Sequence, residues 1–149
     1  ELKMFLVKNH LGPSAIHGIG VIVDEEIRKG QVVWVFDNRF DQTFTTQEVS
    51  SLPEIVQDYI KRSGWQDKRT GMHYLGGDND THVNHSPDAT MTESLEDFNI
   101  LVAARDLKVG DELTHNYTEF TSEQDFTDKN LSLIYCKYCG KNHSADLVC

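Results

Sequence analysis

The sequence predicts a single, mostly β domain with one short helical insertion and a small cysteine-rich C-terminal segment. Three observations point there. Short runs rich in β-branched and aromatic residues, bounded by turn formers, occupy both ends of the chain; a helical spacing of apolar residues occurs once; and Cys136, Cys139 and Cys149, the only cysteines, fall in the last fourteen residues. At 149 residues and 38% hydrophobic content the chain can bury one core and is too short for two domains of ordinary size.

Strands are expected over residues 4–7, 20–23, 32–36 and 99–103, each a run of Val, Ile, Phe, Trp or Leu long enough to cross a sheet. Lys29-Gly30 and Val109-Gly110-Asp111 mark turns. Their approaches, Glu26-Ile27-Arg28 and Arg105-Asp106-Leu107-Lys108, are similar but too short to make a repeat. Between residues 45 and 62 the period changes. Thr46 is expected to cap a first helical turn, Pro53 interrupts it, and Ile55, Val56, Tyr59 and Ile60 form an apolar stripe for a helix over residues 53–62 that covers a sheet edge or face. Gly76-Gly77-Asp78-Asn79-Asp80 favours turns and positive φ, and reads as a loop delivering Asn84 and His85. Beyond Phe120 the chain turns polar, and Leu131, Leu133, Ile134 and Tyr135 restore apolar character before the cysteines.

The net charge of −10, from 24 acidic and 14 basic residues, limits the partners. No basic cluster exceeds the pairs Lys61-Arg62 and Lys68-Arg69, so direct binding to nucleic acid or an anionic membrane, which needs phosphate-neutralising cations, is disfavoured. A lysine-rich partner would be attracted, although the same charge serves solubility alone. No apolar run reaches about 18 residues and the first residues lack the features of a signal peptide, so an intracellular protein is expected, nuclear or cytoplasmic. An odd, clustered set of cysteines with a CxxC spacing fits metal binding in a reducing compartment better than a disulfide framework.

Four motifs carry candidate chemistry. Gly18-Ile19-Gly20 leads into a strand, whereas the dinucleotide fingerprint needs a glycine-rich turn leading into a helix, so a nicotinamide cofactor is not indicated. Alone, the pair of glycines would make only a tight turn. Asn84-His85-Ser86 by itself would be an ordinary polar loop, and Tyr117, closing the expected strand of Gly110-Asp111-Glu112-Leu113-Thr114-His115-Asn116-Tyr117, an ordinary packed aromatic. Cys136, Cys139, His143 and Cys149 have a spacing suited to tetrahedral zinc, against free thiols or a site continuing past Cys149.

In this order and at these distances, the glycine turn, the Asn-His-Ser triplet and the late tyrosine resemble the motifs of SET-domain protein lysine methyltransferases. The resemblance covers residues 4–120 well and the tail loosely. It implies a SET fold of small twisted sheets with a knot-like C-terminal threading, in which Gly18, Ile19, Gly20, Asn84 and His85 border S-adenosylmethionine. Tyr117 is then the catalytic residue and Tyr74 a second tyrosine lining the lysine channel. His115 takes a position, commonly Phe or Tyr in relatives, that influences how many methyls are added. The tail resembles a post-SET segment, which caps the cofactor, completes the channel and brings Tyr135 near the adenine; zinc would be structural there. The implied division is a SET domain over residues 1–120, with an insert at about 41–70, and a cysteine-rich tail over 121–149.

The sequence departs from the family in having Thr81-His82 where relatives often carry Arg-Phe, and Pro87-Asp88-Ala89 in place of a Cys-x-Pro-Asn whose cysteine supplies a zinc ligand in many of them. The expected activity is methyl transfer to the ε-amine of a lysine in a protein substrate, a histone or another basic protein. Such an amine, with an ordinary pKa of about 10.4, costs about 4.6 kcal/mol to neutralise at pH 7. A neighbouring sulfonium and a desolvated channel both lower that cost. Two rivals are a non-catalytic binding module on the same fold and a hydrolase whose metal is gathered by Asp78, Asp80, His82, His85 and His115.

Overall fold

The structure, a computed structural model, describes residues 4–121 and, beyond them, the backbone of residues 133–135 and 142–144. The main sheet is built from β1 (Met4–Phe5), β2 (Asn9–Pro13), β3 (Ile19–Val23), β4 (Val32–Val35), β8 (Asn84–His85), β9 (Met91–Glu93), β10 (Ile100–Ala103) and β11 (Glu112–His115). Its order is β1-β4-β10-β9-β11-β3-β2, with β8 lying beside β11. The four expected strands are all present, shortened at one end or extended by a residue. β2 escaped sequence reading because its Gly12 and Pro13 argue against a strand; it sits at the sheet's edge, where a proline costs no ladder bond.

Val7, Val21, Val23, Ile27, Val33, Met91, Leu107 and Leu113 form one buried cluster under this sheet. The two glycine turns stand side by side over it. Gly30 and Gly110 have φ of 82° and 96°, open to glycine at little cost. The approaches to the turns exchange backbone bonds: Ile27 N donates to Leu107 O at 3.0 Å and Leu107 N to Ile27 O at 2.8 Å. The short sequence similarity therefore corresponds to a paired structure.

The insert forms its own layer. Three strands, β5 (Gln42–Phe44), β6 (Trp65–Gln66) and β7 (His73–Leu75), pair in the order β5-β7-β6, and the helices α1 (Thr46–Ser50) and α2 (Glu54–Ser63) connect β5 to β6. Thr45, not Thr46, caps α1. The reason is the Glu48 three residues on, whose amide donates to Thr45 Oγ1 at 3.1 Å and whose carboxylate accepts from Thr45 N at 2.7 Å, a reciprocal box. Pro53 sits just before α2, where its missing N–H costs nothing. The apolar stripe turns inward only at Ile60, 2% exposed; Ile55 and Tyr59 are 76% and 49% exposed. A Cβ on Gly64 would stand 2.1 Å from Tyr74 O, so the end of α2 meets β7 as close as glycine permits.

Two further differences shape the site. Asn84 and His85, expected on a loop, form β8 because β11 runs parallel alongside, with Thr114 opposite Asn84 and His115 opposite His85. Tyr117 does not close a strand: β11 stops at His115, and Asn116 caps a 3-10 turn over Tyr117–Glu119 through its side chain. In the tail, β12 (Leu133–Tyr135) pairs antiparallel with β13 (Asn142–Ser144). The proposed zinc ligands Cys136, Cys139 and Cys149, and the side chains of His143 and Tyr135, lie outside the described residues, as does any threading past Thr121. Among the described residues no helix is long and apolar enough to cross a membrane.

Candidate active site

β11 is the axis on which the candidate residues converge. It pairs antiparallel with β3, which follows the glycine turn, and parallel with β8, which carries Asn84 and His85. Glu112 at its start reaches under the glycine turn. Ser14 Oγ donates to the Glu112 carboxylate at 2.8 Å and itself accepts from Ile16 N and His17 N, closing the turn from below. Asn84, 5% exposed, turns its amide nitrogen onto the same point, 2.9 Å from Glu112 Oε1 and 3.0 Å from His17 O. Gly18 has φ of 52°, and a Cβ on Gly20 would lie 2.1 Å from Glu112 Oε1. The two glycines thus have separate reasons: Gly18 supplies the left-handed turn, Gly20 the room for Glu112.

Tyr117 is fixed at every polar atom. Its amide donates to His85 Nδ1 at 3.1 Å, its carbonyl accepts from Thr121 N at 2.9 Å and Thr121 Oγ1 at 2.7 Å, and its hydroxyl donates to Val83 O. Burial, helped by the negative charge of Glu112, pushes the phenol's pKa upward, so it stays protonated. Burial, and secondarily His115, lowers the pKa of His85, which favours the neutral imidazole whose Nδ1 accepts from the Tyr117 amide.

An aromatic wall joins Tyr117 to Tyr74. Tyr74 stacks on Trp65 with centroids 5.5 Å apart and planes 7° apart, and meets the edge of Phe36 at 5.7 Å. Trp65 meets Phe120 edge-on at 5.7 Å, and Phe120 lies 5.6 Å from Tyr117 and 4.8 Å from His115. The insert layer supplies Tyr74 and Trp65; the turn after β11 supplies Tyr117 and Phe120. Trp65, Phe36 and Phe120 went unnoticed in the sequence, where an isolated aromatic signals only a core.

His115, 6% exposed, places Nε2 2.9 Å from Glu119 Oε2. Glu119 also accepts from Thr92 Oγ1 at 2.9 Å and Glu93 N at 3.1 Å. Burial alone would raise its carboxyl, but these partners outweigh burial and hold its pKa down to about 2. Arg69 binds Glu93 at 2.6 and 2.8 Å, grips Asp67 as well, and lies 4.1 Å over the Phe98 ring. Glu93, His115 and Glu119 offer ligand atoms within 4.8 Å of one another, the one such trio among the described residues. The protein's own donors already serve its two carboxylates.

The five side chains weighed for a hydrolytic metal do not gather. His85 and His115 are engaged as above, and His82 Nδ1 lies 3.0 Å from Thr81 Oγ1. Asp78 accepts from Phe5 N at 2.8 Å and Asp80 N at 3.0 Å. The carboxylate of Asp80 is buried, and burial, with Asp78 beside it, raises its pKa well above the usual range.

The space at Gly20 is filled by the carboxylate of Glu112, which brings a negative charge under the turn, and the pKa of His85 on β8 is lowered, so that no positive charge is placed on β8 to oppose a sulfonium. The residues therefore fit S-adenosylmethionine by charge.

Comparison with known proteins agrees with the geometry. No curated protein matches the sequence. Among solved structures, the fold is similar to a Plasmodium falciparum candidate histone methyltransferase, at TM-score 0.51 and 19% identity over 74% of this chain and 93% of that one. It is also similar to Chaetomium thermophilum Polycomb Repressive Complex 2, at TM-score 0.60 and 16% identity over 83% of this chain and 18% of the matched chain. The same complex bound to S-adenosylmethionine gives TM-score 0.58 and 15% identity over 92% and 19%. This chain thus spans less than a fifth of the Polycomb chains. The SET-domain family model matches residues 18–118, from the glycine turn to the turn that carries Tyr117, and with more than half its length inside that match the chain belongs to the SET-domain family.

Proposed function

We propose that the protein is an S-adenosylmethionine-dependent protein lysine N-methyltransferase acting on a basic, lysine-containing protein such as a histone. The observation that carries this reading is Tyr117, protonated and immobilised between the Asn84-Glu112 lock on the glycine turn and the aromatic wall ending at Tyr74. When bound, S-adenosylmethionine supplies an electrophilic methyl on a sulfonium. Gly18, Ile19, Gly20, Asn84 and His85 would hold it.

The wall of Tyr74, Trp65, Phe120 and Tyr117 displaces water from an incoming ammonium, and that desolvation favours loss of the proton the amine must shed before it can attack. Tyr117 donates its one hydroxyl proton to Val83 O and so presents only lone pairs to the amine, which orients it without acid-base exchange. The net charge of −10 draws basic substrates toward the domain.

Zinc at Cys136, Cys139, His143 and Cys149, with Tyr135 near the cofactor, completes the proposal, and its support is the sequence spacing. The test is transfer of labelled methyl from S-adenosylmethionine to core histones and whole-cell extract. Tyr117→Phe should lose on the order of 10²-fold in rate while keeping cofactor affinity. Wild-type turnover in the variant would remove Tyr117 from the reaction.

A further inference from the structure

Resting on that proposed function, we infer that Glu119 is a positioning residue for methyl transfer. Its carboxylate holds the turn of Tyr117 and fixes which ring nitrogen of His115 faces it. Two residues on either side of Tyr117, His115 and Glu119 close on one another at 2.9 Å, so the catalytic tyrosine sits inside a ring made by an ion-pairing contact four residues apart. The carboxylate is tied to β9 through Thr92 Oγ1 and the Glu93 amide. The far side of the turn is tied to the insert layer, where Lys68 N donates to Phe120 O at 2.8 Å and Lys68 Nζ to Thr118 O at 2.7 Å.

A carboxylate can only accept, so His115 must carry its proton on Nε2. The ring lies between Glu119 and Phe120, at the end of the aromatic wall, so this contact fixes which edge of the imidazole faces the wall where it meets Tyr117. Arg69, gripping Glu93 from the other side, keeps the two glutamates from repelling β9 away from the turn. Glu119 therefore acts through its neighbours: it need not touch substrate, yet it decides where the phenol and the imidazole stand.

Glu119→Gln tests this with little change in shape. In the carboxylate, Oε1 accepts from Thr92 Oγ1, and Oε2 from the Glu93 amide as well as facing His115 Nε2, so the single amide oxygen of the variant serves one position only. Turned to Thr92 it sets N–H against His115 and the Glu93 amide, and turned to Glu93 it grips them without the charge. The expected result is a folded protein with unchanged S-adenosylmethionine affinity by calorimetry and a kcat lower by about 10- to 100-fold, with KM for histone substrate little moved, as misplacement of a reacting group costs rate. The 15N resonances of His115 should shift as Nε2 loses its charged acceptor. Glu119→Asp, which keeps the charge, should recover part of the rate. A variant with wild-type kcat, or with an unchanged His115 spectrum, overturns the clamp. Wild-type protein that transfers no methyl to any substrate overturns the proposed function itself and the clamp's part in it, so the two failures are separable.

Discussion

Asn84 shows how far a single residue could be read in advance. The triplet Asn84-His85-Ser86 was singled out as a candidate by its resemblance and its spacing to the glycine turn and to Tyr117, yet spacing could not say that the amide nitrogen faces Glu112 and the turn. Glu112 itself stood in a recognised motif without a role, because its partner Ser14 is 98 residues away. Trp65 and Phe120 were not legible at all, since stacking is a property of position and not of type. The lock predicts a specific loss. Asn84→Ala leaves Glu112 Oε1 and His17 O short of a donor in a buried setting, which costs about 1–3 kcal/mol. Calorimetry should find S-adenosylmethionine affinity strongly weakened in a protein whose circular dichroism is unchanged; equal affinity would detach Asn84 from the cofactor cradle.

Elements were more legible than their edges. Runs of Val and Ile marked β3, β4 and β10 because burial on a sheet needs those shapes, whereas β5, β6, β7 and β8 are two or three residues long and exist only because a neighbour pairs with them. The α2 stripe was real as a pattern and misleading as a burial signal, for the helix end is pulled onto β7 at Gly64 and only Ile60 turns inward. For the tail we retain the division at residue 120 as a proposal, with zinc as its organiser. One zinc should copurify per chain by metal analysis, and chelation should lower methyl transfer while the sheet, which is built from residues before 122, keeps its far-UV signature. Full activity in metal-free protein would leave the cysteines without a structural task.

For the whole molecule, the acidic composition has a cost concentrated at Asp80. Its carboxyl titrates above its unfolded value, so the native state holds a proton that the unfolded chain releases above pH of about 4. Stability contributed by this group is thus complete below that pH and declines as pH rises toward the folded pKa. Asp80→Asn, which can donate to Asp78, should raise the urea midpoint at pH 7 by an amount worth about 1–3 kcal/mol and make little difference near pH 4. An equal gain at both pH values would mean the effect is packing and not protonation. Glu119 runs the other way: held at about 2, it stabilises above its ordinary range and gives way only in stronger acid.

The central place of β11 in the sheet also sets an order of assembly. This strand is flanked by β3, β8 and β9, all of which leave the ribosome before it, so the core under Val21, Met91 and Leu113 stays open to water until residues 112–117 are made. Its contacts are among the most distant in the chain, and distant contacts close slowly. A nascent chain lacking residues 112–117 is therefore without the Glu112 contacts under the glycine turn, without Tyr117 and without its finished core. On the proposed function, a fragment ending before Tyr117 lacks both the catalytic tyrosine and the strand that closes the core, so partly made chains are silent toward lysine until the fold is closed.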